Sequence, residues 1–339
     1  MSDSSWGMSD SSPWTRSHAS VTFPGDRQGR FELTDKETYG SAGVGFIDGQ
    51  FMDFAELRLP VSDMGFQLSD MCYDAIHVKD GRFFRLDDHM DRWERSLAER
   101  RYVTLGYDRD AVTDVLHGCV ARAGLEDSMV TVIATRGTPE TGHKDLRTCK
   151  NRLIAWALPY YSVVTEDELE NGCDIVVAET LRVSPDSIDP TVKNFSRLDF
   201  VGALFEAYDR DSRYAVLLDG DGFVTEGRGW NVFALVGGEL LSPDRGVLEG
   251  ITRGTVLELS ERLNIKGRPA PISADAFRGA DEVFLTSTAG GVMPVSSIDG
   301  HAIGDGQPGP VTARIKDMYW QLHEDPAYTT PVEYEPPNS

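Results

Sequence analysis

Apolar and polar residues follow one another along the chain in patterns that predict both strands and helices from about Gly43 onward. Residues 108–123 carry apolar side chains at helical spacing, namely Val112, Val115, Leu116, Cys119 and Val120. Residues 129–135 and 152–157 are short and almost continuously apolar, which is typical of buried strands. In residues 198–208 the larger apolar side chains fall on one side of a helix, and we expect this side to face the core; they are Leu198, Val201, Phe205 and Tyr208.

Turns that contain glycine separate several strand-like runs. Asp80-Gly81 divides residues 74–86 into two such runs, which is a strong hairpin signal. Two further hairpins are predicted over residues 215–226 and 231–241. A helix that begins after Gly250 is expected to turn one apolar face to a core, namely Ile251, Val256, Leu259 and Leu263. A last helix that begins near Gly309-Pro310 is expected to bury Ile315, Met318 and Tyr319.

A further helix follows the first hairpin, with Asp87 or Asp88 as its predicted N-cap. On this helix His89, Arg92 and Ser96 are three and four residues apart and therefore share one face. That face could be solvated. It could equally bind a phosphate, because an arginine near the start of a helix suits a dianion. The helix alone leaves both interpretations open.

The length of 339 residues exceeds what one hydrophobic core usually serves, so we expect two domains. Residues 43–158 form the first and residues 171–325 the second, with a linker over residues 159–170. The serine-rich residues 1–42 are expected to be a partly disordered tail without a signal peptide, and residues 326–339 a C-terminal tail.

Composition narrows the classes of partner. The net charge of −22 argues against nucleic acid and anionic membranes, because phosphate groups would be repelled. No apolar run reaches eighteen residues, so no membrane span is predicted. The four cysteines are sparse and lack CxxC spacing, so we expect no metal site and no disulfide framework. Free buried thiols indicate a reducing cytoplasm.

The most informative chemistry surrounds Lys193, in the string DPTVKNFSRLDF. A lone lysine is usually a solvated surface residue. Here a carboxylate, Glu226, follows in a glycine-containing turn, and residues 248–255 and 286–291 form two hydroxyl- and glycine-rich turns that could hold a phosphate. An amine, a carboxylate and two phosphate cups are what pyridoxal 5'-phosphate requires. The combination therefore favours a site for this cofactor.

From about Gly43 to Leu322 the chain resembles the fold-type IV, or class IV, pyridoxal-phosphate aminotransferases. The resemblance rests on HMDRWERS, DPTVKNF, DGDGFVTEGRGWNVF, VLEGITR, TSTAGGVMPVSSIDG and GQPGPVT, which occur in the family's order. The strings SIDPTVKNF and STAGGV are most similar to the (R)-selective amine transaminase branch. The resemblance implies a small N-terminal α/β domain, a larger C-terminal pseudo-barrel α/β domain with the cofactor between them, and a homodimer with shared active sites.

The resemblance also implies roles for individual residues. Lys193 corresponds to the Schiff-base lysine that also carries the proton, and Glu226 to the acid that faces the pyridine nitrogen. Leu248 corresponds to an apolar residue packed against the cofactor ring. The implied phosphate ligands are Arg92, the backbone amides of Ile251 and Thr252, and the Thr288 hydroxyl.

The chain departs from the family at several positions that are expected to determine the substrate. Arg197 replaces a tryptophan common in (R)-amine transaminases, Arg228 replaces a small residue, and Leu198 replaces a tyrosine of branched-chain enzymes. Lys144 and Arg147 lie in the basic segment 136–150, where (R)-amine transaminases carry an arginine for the acceptor's carboxylate. The expected substrate contacts are Tyr73, Lys144, Arg147, Arg197, Arg228, Trp230 and Ala289. Internal salt bridges and a solvated loop are the alternative explanation for these cations.

The resemblance implies a transaminase that moves an amino group from an (R)-amine or D-amino acid to a keto acid such as pyruvate, in two half-reactions. A branched-chain or D-amino-acid aminotransferase and a lyase of the aminodeoxychorismate lyase type remain alternatives. A non-catalytic cofactor-binding protein is a third, from a different class.

Overall fold

The computed structural model describes residues 43–140 and 144–334, and every structural statement below refers to these ranges. The predicted N-terminal tail, residues 1–42, lies outside them, as do residues 335–339. The described residues form two sheets with helices packed against each.

The first sheet is built from the N-terminal half of the chain. Its strands are β1 (Val44–Ile47), β2 (Gln50–Asp53), β3 (Met71–Lys79), β4 (Arg82–Phe84), β5 (Ser128–Pro139) and β6 (Cys149–Pro159). They lie in the order β4-β3-β5-β6-β1-β2, with antiparallel neighbours throughout. Asp80 and Gly81 have φ angles of 49° and 68°, as the predicted two-residue hairpin requires. The irregular part of segment 136–150 is shorter than predicted, because β5 and β6 extend into it.

The second sheet is built from the C-terminal half. Its strands are β7 (Cys173–Leu181), β8 (Tyr214–Leu218), β9 (Val224–Gly227), β10 (Trp230–Val236), β11 (Glu239–Ser242), β12 (Gly267–Pro269), β13 (Glu282–Ser287), β14 (Gly291–Ile298) and β15 (His301–Ala302). The order β10-β13-β14-β7-β8-β9 closes on itself, because β9 pairs with both β8 and β10. This ring, filled by residues such as Val216, Val232 and Leu285, is the predicted pseudo-barrel. The predicted fold class is thereby confirmed.

A last strand, β16 (Thr329–Pro331), returns to the first sheet and pairs with β4. It lies in the segment that we expected to be a C-terminal tail. Backbone pairing of Thr329 with Phe84 gives this segment a fixed position at the edge of the sheet. The sequence contains no long apolar run here, and so the strand was missed.

The helices complete both layers. They are α1 (Met64–Leu68), α2 (Leu86–Glu99), α3 (Arg109–Ala123), α4 (Glu166–Asn171), α5 (Leu198–Asp209), α6 (Ile251–Arg262), α7 (Ala274–Arg278) and α8 (Pro310–Gln321). Short 3-10 helices occur at Phe54–Glu56, Leu146–Thr148 and Leu322–Glu324. Among the helices in the described ranges, none is long and apolar enough to cross a membrane.

Helices α2 and α3 cover one face of the first sheet. The apolar stripe predicted for α3 is buried there, together with Met90 and Trp93 of α2. The predicted N-cap of α2 is wrong. Arg85, in the left-handed region at φ 51°, precedes the helix, and Asp87 and Asp88 occupy its first turn, where carboxylates stabilise the positive end of the helix dipole.

Helix α5 packs on β7 and β8, but with the opposite face to the one predicted. Phe200, Ala203 and Ala207 are buried against strand residues such as Val176 and Leu217. The larger apolar residues point outward, with exposed fractions of 86% for Leu198, 41% for Val201, 63% for Phe205 and 50% for Tyr208. The prediction was wrong because small residues let the helix approach the sheet closely, whereas side-chain size was taken as the sign of burial.

Helices α6 and α8 pack on the outside of the ring and connect it to the first sheet. Val256 and Leu259 of α6 and Ile315 and Tyr319 of α8 share a core with Phe84 of β4. This core contains residues of both sheets and therefore holds the two sheets in place relative to each other. The candidate site lies between them.

Candidate active site

A cavity of about 250 Å³ lies where the two sheets meet. Residues of β3, β5 and α2 line one side, and residues of β9, β10 and β13, the turns after β9 and β13, and the start of α6 line the other. All the predicted cofactor residues line it, namely Arg92, Lys193, Glu226, Leu248, Ile251, Thr252 and Thr288. Of the predicted substrate residues, Tyr73, Arg197, Arg228, Trp230 and Ala289 line it as well.

The backbone of Lys193 is fastened to β3 and α2. Its nitrogen donates to Ser96 Oγ at 3.2 Å, and its carbonyl accepts from the Tyr73 nitrogen at 3.0 Å. The neighbouring Asn194 forms an isolated bridge with Cys72. An otherwise irregular segment therefore holds its lysine in a fixed place.

The Lys193 amine lies 4.5 Å from the centroid of the Tyr73 ring. Burial lowers the pKa of Lys193, and the charges of Arg92 and Arg197 lower it further against the opposing effects of Tyr73 and Asp74. For Tyr73, burial alone would raise the pKa. The charges of Lys193 and Arg197 outweigh burial, so the pKa of Tyr73 is lowered. The pair therefore combines a lysine that loses its proton easily with a phenol that can share it.

Arg92 is oriented by a buried carboxylate. Asp74 accepts from Arg92 Nε at 2.9 Å and from Nη2 at 2.7 Å, and it bonds His89 Nδ1 at 2.7 Å. Burial alone would raise the pKa of Asp74, but Arg92 and His89 hold it well below its ordinary value. Arg92 Nη1 also donates to the Glu249 carbonyl at 3.3 Å, which ties α2 to the turn before α6. The face formed by His89, Arg92 and Ser96 is thus buried, and the solvated alternative is excluded.

The opposite wall offers hydrogen-bond donors for an anion. Helix α6 begins after Gly250 without a side-chain cap, and its first residues, Ile251 and Thr252, line the cavity, so their amides are available to an anion there. A Cβ at Gly250 would lie 2.2 Å from Asn231 Oδ1, so glycine is required there. Thr286 Oγ1 is buried on the same wall and has no hydrogen-bond partner within the described residues. Together with Thr252 and Thr288, these groups fit a phosphate.

Glu226 is held by three donors. Its Oε2 accepts from the Leu248 nitrogen at 2.9 Å and from Asn231 Nδ2 at 3.1 Å. Its Oε1 accepts from Arg182 Nη2 at 3.2 Å. Burial raises the pKa of Glu226, and the charge of Arg182 and the Leu248 amide oppose the rise. A buried carboxylate with this surrounding fits a protonated ring nitrogen as its partner.

The predicted substrate cations divide into two groups. Arg197 lies beside two rings, 5.3 Å from the centroid of Tyr73 and 5.8 Å from that of Phe200. Within the described residues, neither Arg197 nor Arg228 has a carboxylate at ion-pair distance. Internal salt bridges therefore do not explain these two arginines.

Lys144 and Arg147 do not reach the cavity within one chain. Arg147 is 88% exposed on its side chain and pairs with Asp145 at 2.6 Å. Lys144 is exposed in the same segment. Since neither residue lines the cavity, the alternative of a solvated loop with a local salt bridge describes the segment's described residues within one chain. Its predicted role in binding the acceptor stays a prediction.

Three contributors were missed in the sequence. Asp74 orients Arg92, Arg182 bonds Glu226, and the predicted linker reaches the cavity through Val163. Val163 N donates to the Ala289 carbonyl at 3.0 Å. Asp74 could have been found from its place next to Tyr73 at the start of a strand-like run. Arg182 lies 44 residues before Glu226 and carries no local signal.

The amino-transferase class IV family model matches residues 71–298 of this chain. The match includes Lys193, Glu226 and both predicted phosphate turns. The chain belongs to the class IV aminotransferases. This class of enzymes uses pyridoxal 5'-phosphate, and the cavity fits that cofactor, so the predicted enzyme class and cofactor are confirmed.

Two curated relatives and one solved structure show the breadth of the family around this chain. A putative branched-chain-amino-acid aminotransferase of Methanocaldococcus jannaschii is 29% identical over 276 residues, which cover 81% of this chain and 94% of that protein. A D-alanine aminotransferase of Staphylococcus haemolyticus is 30% identical over 277 residues, covering 81% and 95%. The structure of a branched-chain aminotransferase from the archaeon Thermoproteus uzoniensis with norvaline is 26% identical, with a TM-score of 0.78 and coverage of 86% and 99%. The class is therefore established, and the (R)-selective branch stays a prediction.

Proposed function

We propose that this class IV aminotransferase moves an amino group from an (R)-amine or a D-amino acid to a keto acid. The supporting observation is one cavity that combines two arginines without carboxylate partners, Arg197 and Arg228, with apolar walls such as Phe200 and Trp230. Apolar walls suit the body of an amine, and a guanidinium suits the carboxylate of a keto acid. The (R) or D hand rests on the strings SIDPTVKNF and STAGGV.

When bound, pyridoxal 5'-phosphate supplies the aldehyde that takes up the amino group and the ring that accepts electrons. The chain supplies the proton transfers and the binding contacts. Lys193 Nζ has a lowered pKa, so it is neutral over a wider pH range and can accept a proton from the substrate carbon. Arg92, Thr252 and the first amides of α6, which line the cavity, would hold the phosphate, and Glu226 would hold the ring nitrogen.

A branched-chain L-amino-acid aminotransferase is the second candidate, favoured by the relatives from M. jannaschii and T. uzoniensis. Against it, the position at which branched-chain enzymes carry a tyrosine holds Leu198, whose side chain points to solvent with 86% exposed. Leu198 does not line the described cavity, so within one chain this residue supplies no wall for a branched side chain.

A donor panel separates the two candidates. Purified enzyme would be given (R)- and (S)-1-phenylethylamine and the D- and L-forms of alanine and leucine, each with pyruvate or, for alanine, 2-oxobutyrate as acceptor. We expect product from the (R)-amine or the D-amino acids and little from their mirror images. Turnover of L-leucine with none of the D- or (R)-donors would overturn the proposal in favour of a branched-chain enzyme. Acceptor-independent release of ammonia or pyruvate would indicate a lyase.

We also propose that two copies of the chain associate through α5. Leu198, Val201, Phe205 and Tyr208 form an exposed apolar face on this helix, which we call the α5 face. Tyr208 also lines a cavity of about 280 Å³ that shares Arg228 and Trp230 with the candidate site. A second copy on the α5 face would therefore cover apolar surface and complete the wall beside Arg228.

The mass of the protein in solution tests this association. Light scattering should give twice the chain mass, and Phe205→Glu should give the single mass because a charge would be buried in the interface. Phe66→Glu is the matched control, because it makes the same change at a phenylalanine of α1 that is 57% exposed, and it should keep the double mass. A monomeric wild type would contradict the proposal.

A cytoplasmic location is also part of the proposal. All four cysteines are free and buried, which supports the expected cytoplasmic location.

A further inference from the structure

Arg182, which comes directly after β7, joins two buried carboxylates. Its Nη1 donates to Asp199 Oδ2 at 2.5 Å, and its Nη2 donates to Glu226 Oε1 at 3.2 Å. The three side chains are 9%, 6% and 8% exposed. Within the described residues Arg182 Nε has no hydrogen-bond partner, so these two carboxylates hold the charged end of the arginine.

The ring of Phe200 and the carboxylate of Asp199 fix the position of Arg182. Its guanidinium carbon lies 4.4 Å from the centroid of the Phe200 ring. Asp199, in the first turn of α5, also accepts from the Val183 nitrogen at 3.0 Å and the Phe200 nitrogen at 2.9 Å. Since Asp199 is fixed by backbone groups and Phe200 is buried, the guanidinium has little freedom to leave Glu226.

The charges of this cluster fit a cation in the cavity. Arg182, Asp199 and Glu226 together carry one net negative charge when all three are ionised. The other two hydrogen-bond partners of Glu226, Leu248 and Asn231, are neutral. A protonated ring nitrogen opposite Glu226 would neutralise these three side chains. An uncharged one would leave their net negative charge opposed only by cations that do not bond Glu226, such as Arg197, whose charge also lowers the pKa of Glu226.

We infer that Arg182 is a positioning residue that keeps Glu226 ionised and directs it at the ring nitrogen of the cofactor. Without a cation beside it, a buried carboxylate tends to take up a proton. A neutral Glu226 could then hold the proton itself instead of leaving it on the ring. The inference rests on the cofactor site described above and adds to it a residue outside the cavity.

The protonation of the ring nitrogen can be measured directly. Protein loaded with pyridoxal 5'-phosphate carrying a ¹⁵N-labelled ring would be examined by NMR over a pH series, because the ¹⁵N shift reports whether this nitrogen bears a proton. Arg182→Gln keeps a hydrogen-bond donor without the charge, and Arg182→Lys keeps a charge. Arg210→Gln is the matched control, because Arg210 also contacts β7 but pairs with Asp299.

We expect the wild type, Arg182→Lys and Arg210→Gln to keep the ring nitrogen protonated at neutral pH. In Arg182→Gln the pKa of the ring nitrogen should fall by about one unit or more, toward the result for Glu226→Gln. If Arg182→Gln does not fold, Arg182→Gln/Asp199→Asn takes its place, because it also removes the carboxylate left without a counter-ion. An unchanged ring-nitrogen titration in these neutral variants would overturn the inference. Absence of a bound-cofactor signal in the wild type would instead contradict the cofactor site itself.

Discussion

Ser96 Oγ accepts a hydrogen bond from the Lys193 nitrogen at 3.2 Å and donates one to the Arg92 carbonyl at 3.0 Å. One hydroxyl on α2 therefore links the segment that carries Lys193 to the helix residue Arg92, the predicted phosphate ligand. The distance between these two groups is set by the packing of α2 on β3 and does not depend on a flexible loop. The Lys193 backbone and Arg92, the predicted phosphate ligand, are therefore held at a fixed separation.

The anchoring of Arg92 predicts a large loss of stability in Asp74→Asn. This change leaves the buried guanidinium of Arg92 without its carboxylate, which costs about 3 kcal/mol or more in free energy of unfolding. Denaturant unfolding of the apoprotein measures it.

Asp91→Asn on the same helix is the matched control. Asp91 also pairs with an arginine, Arg109, but it is 57% exposed, so the expected loss is under about 1 kcal/mol. Equal losses in the two variants would show that burial of Asp74 does not decide its effect.

If Glu226 is the acid at the ring nitrogen, its replacement should lower activity without unfolding the protein. Glu226→Gln keeps the shape of the side chain but cannot hold a proton on the ring nitrogen. Transamination should fall by at least about 10²-fold, which corresponds to about 2.7 kcal/mol of transition-state stabilisation. Steady-state kinetics checks this, with Glu249→Gln, the same change on an exposed neighbour, as control. Near-normal turnover would place the ring acid elsewhere.

Arg197 and Arg228 predict a selective effect on carboxylate substrates. If they bind the carboxylate, Arg197→Ala and Arg228→Ala should raise KM for a keto acid by about tenfold or more, because a charged hydrogen bond is lost. The half-reaction with 1-phenylethylamine, which has no carboxylate, should change little. Equal effects on the amine and the keto acid would show that these arginines support the fold instead.

Two buried histidines predict how stability depends on pH. Burial lowers the pKa of His323 to about 4 and that of His77 to about 3, from ordinary values of 6.5. The unfolded chain therefore takes up these protons first as the pH falls below about 6.5, so the folded state loses stability from there down to the folded pKa values. Each histidine contributes about 1.4 kcal/mol per pH unit over its window.

His323→Phe tests this contribution, because phenylalanine preserves the stack on Phe84, whose ring centroid lies 3.8 Å from that of His323. The fall in free energy of unfolding between pH 6.5 and pH 4 should be shallower by about 1.4 kcal/mol per unit than in the wild type. Measurements at pH 8 give the baseline for each protein. Parallel curves over the acid range would contradict the prediction.

The sequence predicted features that depend on local spacing. The Asp80-Gly81 hairpin, the buried stripe of α3 and the start of α6 after Gly250 follow from turn chemistry and helical period, and the structure has them. The sequence could not predict which face of α5 would be buried, because the helix has apolar residues on two faces. Which face is buried depends on the strands that it packs against.

Contacts between distant segments escaped prediction for a related reason. Arg182, which also bonds Asp199, reaches Glu226 through the parallel pairing of β7 with β8, and β16 pairs at an edge formed by β4. The basic segment with Lys144 and Arg147 was assigned to the site by resemblance; neither residue lines the cavity formed by the described residues of one chain, and the assignment stays a prediction. Charge and composition cannot predict such contacts, because the contacts depend on how distant strands pair and in which register.

The central claim is that Lys193 carries the cofactor. Purified enzyme saturated with pyridoxal 5'-phosphate would be reduced with borohydride, digested and mapped by mass spectrometry. The account predicts the pyridoxyl label on Lys193 and its absence from Lys193→Ala. A label on another lysine, or no label on saturated protein, would contradict it.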